Sequence, residues 1–324
     1  TYDEKTISEL APFGIGVHKA LEYIASLAEK DGFSVDRCDG YCTEISYGEG
    51  PLIAIYAHCD VVPVSGKWKF PPFSATIEDD IMYGRGTSDD KGPAIASYYA
   101  LKLLRDNNII NGYRVTLVIG GNEECGSRCL EHYFNSLHKP YPSYGFTPDG
   151  LMFNYDQLVK TGDGYMDGSG KNLGVYYESK LLHSTTYNVG LISYNNGILE
   201  YSVNFRYPEN VNAEEACKKL DTLSLGKVHY LGTGDYLLVD PESQMIKTLM
   251  NCYQEYTHDY KSQPMAIGGG TYAKESKNTI AFGSHFPGRE DHIHEANEKI
   301  HLEDLRKSIS IYASAIDELG KLAK

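Results

Sequence analysis

Apolar residues recur every three or four positions over Val17 to Lys30 (VHKALEYIASLAEK), which predicts an amphipathic helix. Pro51 to Ala57 (PLIAIYA) is instead a short unbroken apolar run of strand length. A helical pattern returns over Pro93 to Arg105, followed by the β-branched run Arg114 to Ile119 (RVTLVI), which predicts a buried strand. Strand, helix and strand in alternation predict an α/β fold with a mixed, largely parallel sheet and helices on both faces. From about Lys160 the texture changes. A polar, glycine-rich stretch gives way to Gly190 to Tyr207, which predicts two strands about an Asn195-Asn196-Gly197 turn, and then to a helix at Ala213 to Leu223. The first texture resumes near Pro264 and closes on a long helix, Leu302 to Leu322. The expected organisation is a discontinuous main domain, residues 1–157 and 264–324, with a smaller α+β domain inserted at 158–263.

Polar residues with chemical potential gather where the apolar runs stop. The first strand runs into His58-Cys59-Asp60, and alternation along a strand turns His58 and Asp60 the same way. An Asp beside a metal-binding His commonly accepts its other ring N–H, although a strand-end HxD is more often structural. Next, Gly84-Arg85-Gly86-Thr87-Ser88-Asp89-Asp90-Lys91-Gly92 precedes a helix. Its spacing fits neither phosphate-loop pattern, and adjacent acids would repel a phosphate. They suit a cation, or else simply favour the positive end of the following helix. Gly121-Asn122-Glu123-Glu124 ends the next strand; a metal lets neighbouring carboxylates stay ionised, one as ligand and one as general base. Asp149 in a Pro-Asp-Gly turn and His292, His294 and their acidic neighbours complete the series. Together these segments place His, Asp, Glu, Asp and His at successive loop positions of an α/β sheet, and in open sheets active sites form at the carboxyl ends of strands.

Composition narrows the classes of partner. Of 324 residues, 41% are hydrophobic and 23% charged, which is globular. Lys and Arg number 30 against 44 Asp and Glu, a net charge of −14 that disfavours nucleic acid and anionic membrane. No apolar run is long enough to span a bilayer. Seven scattered cysteines without a CxxC argue against a disulfide framework and for a reducing cytoplasm; the pairs Cys38/Cys42 and Cys125/Cys129 read as small buried thiols rather than zinc ligands.

Five segments in order, Tyr56 to Pro63 (YAHCDVVP), Tyr83 to Pro93 (YGRGTSDDKGP), Gly121 to Ser127 (GNEECGS), Thr147 to Gly150 (TPDG) and Pro287 to Glu298 (PGREDHIHEANE), resemble the motif series of the dinuclear zinc dipeptidases. That family embraces PepV, the carnosinases, aminoacylase and carboxypeptidase G, and the match is strongest to the PepV type. The resemblance implies that His58, Asp89 and Asp149 hold one metal, and that Asp89, Glu124 and His294 hold the other. Asp89 would bridge the pair, with a cis peptide following it. Glu123 would be the general base on a water activated by two divalent cations, Zn²⁺ first and Mn²⁺ or Co²⁺ as alternatives. Asp60 would be the partner of His58. In the inserted domain, Arg206 resembles the lid arginine that contacts substrate. Gly269, Gly270 and Thr271, after Gly268, resemble the loop whose amides receive a substrate carboxylate.

The expected activity is hydrolysis of dipeptides, broad or of the Xaa-His type, by a monomer, with a homodimer as the alternative. PepV-type lids are longer and carry an Asn and a His that help to position substrate. Neither has a counterpart between Asp149 and Arg206, and His183 lacks the expected surroundings. The expectation is that the sequence is abridged near Gln157 to Lys171, as the absence of Met before Thr1 also suggests; a shortened lid is the alternative. Two other functions stay open: an N-acyl amino acid hydrolase, and a catalytically silent relative that binds peptide or metal.

Overall fold

Leu52 to Ala57 presents aliphatic side chains and one tyrosine, and Ile53 through Ala57 are each no more than 1% exposed. A strand lined this way must be covered on both faces, as in α/β proteins. The computed structural model of the chain describes residues 1–150, 170–171, 173–179, 184–195, 198–209, 211–223, 227–232, 237–265, 270–290 and 292–324. Its strands are β1 (Ser34–Asp36), β2 (Cys42–Gly48), β3 (Leu52–His58), β4 (Thr76–Glu78), β5 (Ile81–Tyr83), β6 (Arg114–Gly120), β7 (Tyr144–Thr147), β8 (Thr186–Asn195), β9 (Ile198–Arg206), β10 (Thr279–Ala281) and β11 (Lys299–His301). Its helices are α1 (Ile15–Lys30), α2 (Lys91–Asp106), α3 (Arg128–Glu131), α4 (Ala213–Leu223), α5 (Gln244–Thr257) and α6 (Leu302–Ala323).

The main sheet has the order β1-β2-β6-β3-β7-β10. The pairs β6–β3, β3–β7 and β7–β10 are parallel, and β1–β2 and β2–β6 antiparallel, so the sheet is mixed and largely parallel, as the alternation predicts. Each main helix buries one stripe. On α1 it is Val17, Leu21, Ile24, Ala25 and Ala28; on α6 it includes Ile311, Tyr312, Ala315, Ile316 and Leu319. These are helical spacings, and each large apolar side chain so covered contributes about 1.5–3 kcal/mol. Leu101 and Leu104 on α2 and Phe146 on β7 join the same core. β11, β5 and β4 form a separate three-stranded sheet.

The chain divides into two compact units, one of residues 1–155, 237–264 and 270–324, the other of 156–236 and 265–269. Residues 237–263, read from the sequence as part of the insertion, therefore pack with the larger unit. The reason is α5, whose Met245, Ile246, Leu249, Cys252 and Tyr253 enter the main core. In the smaller unit β8 and β9 form an antiparallel hairpin with a register shift between Val189 and Leu191. Asn195 pairs with Ile198 there; Asn196, Gly197 and His183 lie outside the described residues, as do residues 157–169. All seven cysteines are free. Among the described residues no helix is long and apolar enough to cross a membrane.

Candidate functional site

Register sets the site. His58 at the end of β3 pairs with Gly120 at the end of β6, and Ile55 pairs with Phe146 of β7, so three parallel strands release their chains at one edge of the sheet. Beyond that edge stand His58 and Asp60 after β3, Glu123 and Glu124 after β6, and Asp149 after β7. Glycine permits the close approaches this requires. A Cβ on Gly283 would sit 1.6 Å from the Gly150 carbonyl oxygen, beside Asp149, and one on Gly120 would sit 2.1 Å from the Tyr272 hydroxyl.

Asp89 lies at the centre. Its Oδ1 is 2.9 Å from His58 Nε2 and its Oδ2 is 2.9 Å from His294 Nε2. His294 Nε2 is also 3.2 Å from a Glu124 carboxylate oxygen, and His58 Nε2 is 3.8 Å from Asp149 Oδ2. The peptide from Asp89 to Asp90 is cis, as the resemblance implies, and α2 begins immediately afterwards. Ligand-type atoms of His58, Asp89 and Glu124 lie within 4.8 Å of one another, and so do those of His58, Glu123 and Asp149.

Asp60 stands beside His58, as its spacing suggests, and does a second job as well. The His58 Nδ1 atom is 3.0 Å from the Asp60 main-chain carbonyl and 3.4 Å from its carboxylate. The carboxylate itself accepts the Glu123 N–H at 3.0 Å on Oδ1 and the Glu124 N–H at 3.2 Å on Oδ2. One residue thus orients the imidazole through its backbone and holds the paired-glutamate turn through its side chain.

Electrostatics follow from packing so many acids into a buried place. Burial raises Glu123 to about 8, reinforced by the charges of Asp149, Glu124 and Asp89. Burial likewise raises Asp149 to about 6 and holds Asp90 well above the usual carboxylate range. For His58 burial opposes the charged ring, but Asp60 and Asp89 outweigh it and raise the imidazole well above its usual value. Hydrogen bonds to Asp89 and Glu124 raise the half-exposed His294 to about 10. Asp89 is lowered despite its burial, because His294 and His58 stabilise its charge.

The donor set fits divalent metal. The imidazoles of His58 and His294 and the carboxylates of Asp89, Glu124 and Asp149 are the nitrogen and oxygen ligands that zinc and manganese take, with the carboxylate of Glu123 beside them. His58 Nε2 and Asp89 Oδ1, although 2.9 Å apart, are both buried and neither finds a hydrogen bond of acceptable geometry. A buried imidazole nitrogen and a buried carboxylate oxygen left without a hydrogen bond are donor atoms that a cation, displacing the ring proton, would satisfy.

His58, Asp60, Asp89, Glu123, Glu124, Asp149 and His294 are brought together within the larger unit. The other sequence candidates are Arg206, Gly269, Gly270 and Thr271. Arg206 lies at the end of β9 in the smaller unit, exposed, its Nε donating to Asn204 Oδ1 at 3.2 Å. Gly269 is outside the described residues, and Gly270 is exposed. Thr271 Oγ1 accepts the Ala273 N–H at 3.3 Å, capping the short turn Tyr272 to Lys274. Residue types alone did not single out Tyr272. It is wholly buried with its ring edge-on to His58 at 6.1 Å, and its hydroxyl lies 2.7 Å from Cys129 Sγ.

Comparison with known proteins agrees with this geometry. Residues 54–318 match the model of Peptidase family M20/M25/M40. YtjP of Bacillus subtilis (strain 168), named for a proposed dipeptidase activity, is 28% identical over 438 aligned positions that cover 98% of this chain and 94% of the relative. With 438 positions set against 324 residues, at least 114 positions of that alignment (438 − 324) have no residue from this chain. Among solved structures, an M20 family metallo-carboxypeptidase, Sso-CP2 of Sulfolobus solfataricus, superposes with TM-score 0.67 at 19% identity, covering 95% of each chain. Human carnosine dipeptidase 1 superposes with TM-score 0.71 at 14% identity, covering 94% of this chain and 90% of that one. The chain belongs to Peptidase family M20/M25/M40. It is a peptide hydrolase of that family.

Proposed function

We propose that the chain cleaves dipeptides, with His58, Asp89 and Asp149 holding one divalent cation and Asp89, Glu124 and His294 the other. The observation that carries this reading is the Asp89 carboxylate, whose two oxygens each meet a different imidazole at 2.9 Å. When bound, the cations supply Lewis acidity that polarises a peptide carbonyl and acidifies water. Zn²⁺ is the first candidate for an open nitrogen–oxygen site, with Mn²⁺ and Co²⁺ next.

Glu123 accepts the proton of the attacking water and returns it to the leaving amine. Its carboxylate lies within 4.8 Å of ligand-type atoms of His58 and Asp149, within reach of a water held there. Asp60 fixes the face that His58 presents and holds the turn that carries Glu123, so the base and the ligands move as one piece. Arg206 and the amides of Gly269, Gly270 and Thr271 are the candidates for the substrate's terminal carboxylate, on the strength of the motif resemblance alone.

The reading is tested with purified protein loaded separately with Zn²⁺, Mn²⁺ and Co²⁺. It is offered Xaa-His and other dipeptides beside N-acetyl amino acids, with free amine or released acid followed by chromatography. Preferential cleavage of dipeptides is expected. Turnover confined to N-acetyl substrates would move the assignment to acyl hydrolysis, and tight peptide binding without turnover in any metal form would make the chain a silent relative.

A further inference from the structure

Glu298 opens the path to β11, four positions beyond His294, and its side chain is completely buried. A buried carboxylate needs compensation, and the hydrogen bonds to this one among the described residues come from the loop from Gly84 to Asp89, with the charge of Lys91 nearby. Oε1 accepts the N–H groups of Gly86 at 3.0 Å, Ser88 at 2.9 Å and Asp89 at 3.1 Å. Oε2 accepts Arg85 Nη1 at 2.7 Å and shares the Gly86 N–H at 3.0 Å. The main chain repeats the tie on either side: the Glu298 carbonyl accepts the Gly84 N–H at 2.9 Å, and the Lys299 carbonyl accepts Ser88 Oγ at 2.9 Å. Residues 84–89 belong to no strand or helix, so hydrogen bonds hold the loop that carries Asp89: those to Glu298 and Lys299, with the Arg85 N–H to the Pro72 carbonyl at 2.7 Å and, just beyond, the His58 N–H to Asp90 Oδ2 at 3.1 Å.

We propose that Glu298 is the positioning residue of the two-cation site, a buried template round which the 84–89 loop wraps so that Asp89 projects between His58 and His294. Because Glu298 and His294 share one short segment, the same carboxylate sets the distance between the bridging ligand and one of the imidazoles. The inference rests on the metal-site reading above and adds a residue that contacts neither substrate nor cation. Glu298→Gln keeps the size but turns an N–H₂ group toward Arg85 or toward the loop amides, so at least one donor faces a donor.

Isothermal titration with Mn²⁺ alone, followed by steady-state hydrolysis of a dipeptide, separates the outcomes. The unsubstituted chain is titrated first and should take up two ions; failure to do so overturns the metal-site reading and this inference together. Glu298→Gln should then bind at least one ion about 10–100-fold more weakly, with kcat lowered and KM little changed. Glu298→Asp, which retains the charge but withdraws it by one methylene, should fall between the two and serves if the amide variant does not fold. Variants that take up two ions with unchanged affinity and kcat, and differ only in melting temperature, would reduce Glu298 to an ordinary fold contact and overturn the proposal.

Discussion

His294 Nε2 stands 2.9 Å from Asp89 Oδ2, although the two residues come from opposite ends of the larger unit's sequence. The other oxygen of that carboxylate faces His58 at the same distance. A single side chain therefore joins the two imidazoles, and the chemistry expected of the site depends on it.

Removing cations should abolish hydrolysis. Dialysis against a chelator is expected to silence the enzyme, and restoring two equivalents of the preferred ion should return it. Binding to the folded form alone also stabilises it, by about 2.7 kcal/mol when free ion is a hundred times its dissociation constant. The melting temperature in the presence and absence of ion checks this.

Glu123→Gln should leave metal uptake intact and lower kcat by about 10²–10⁴-fold, the usual worth of a positioned proton acceptor. Titration calorimetry beside the rate assay distinguishes this from the loss of a ligand.

Asp60→Ala leaves the Glu123 and Glu124 amides without their acceptor. Metal affinity or activity is expected to fall about 10–100-fold. Asp60→Asn, which keeps one acceptor oxygen, should lose less in the same titration.

The pH dependence has two signs. In the ion-free protein His294 is raised from 6.5 to about 10, Glu123 from 4.5 to about 8 and Asp149 from 3.8 to about 6. Groups whose pKa rises on folding stabilise the fold while protonated and lose that contribution as pH climbs through the folded value. The ion-free melting temperature should accordingly drop from about pH 4, where Asp149 and Glu123 begin to lose their contribution, up to about pH 10, where that of His294 is gone. Cation affinity should move the other way, tightening about tenfold per pH unit for each proton displaced. Calorimetry in buffers of different ionisation enthalpy measures those protons directly.

Much of this site was legible in the sequence because its chemistry demands particular residue types at strand ends. His58, Glu123 and Glu124 follow runs that read as strands, whereas the strand before Asp149 was not apparent and only the motif resemblance joined that residue to the others. Packing partners were harder to read. The pattern of α5 shows a buried stripe of Met245, Leu249 and Tyr253, but amphipathicity says nothing about which unit the stripe meets. Likewise the spacing of His58 and Asp60 points to a carboxylate–imidazole pair, but not to the two backbone amides that the same carboxylate also accepts. Glu298 stood in plain sight within Pro287 to Glu298, yet only three dimensions reveal that its partners are N–H groups, which a sequence does not distinguish.

The pairing of His58 with Gly120 carries a last implication, for the order of folding. The ligands come from distant stretches of chain and become neighbours only after the parallel ladder has closed, so an ion finds nothing to grip in the early, loosely ordered polypeptide. Added zinc or manganese should leave the refolding rate nearly untouched and act instead by retarding escape from the native state.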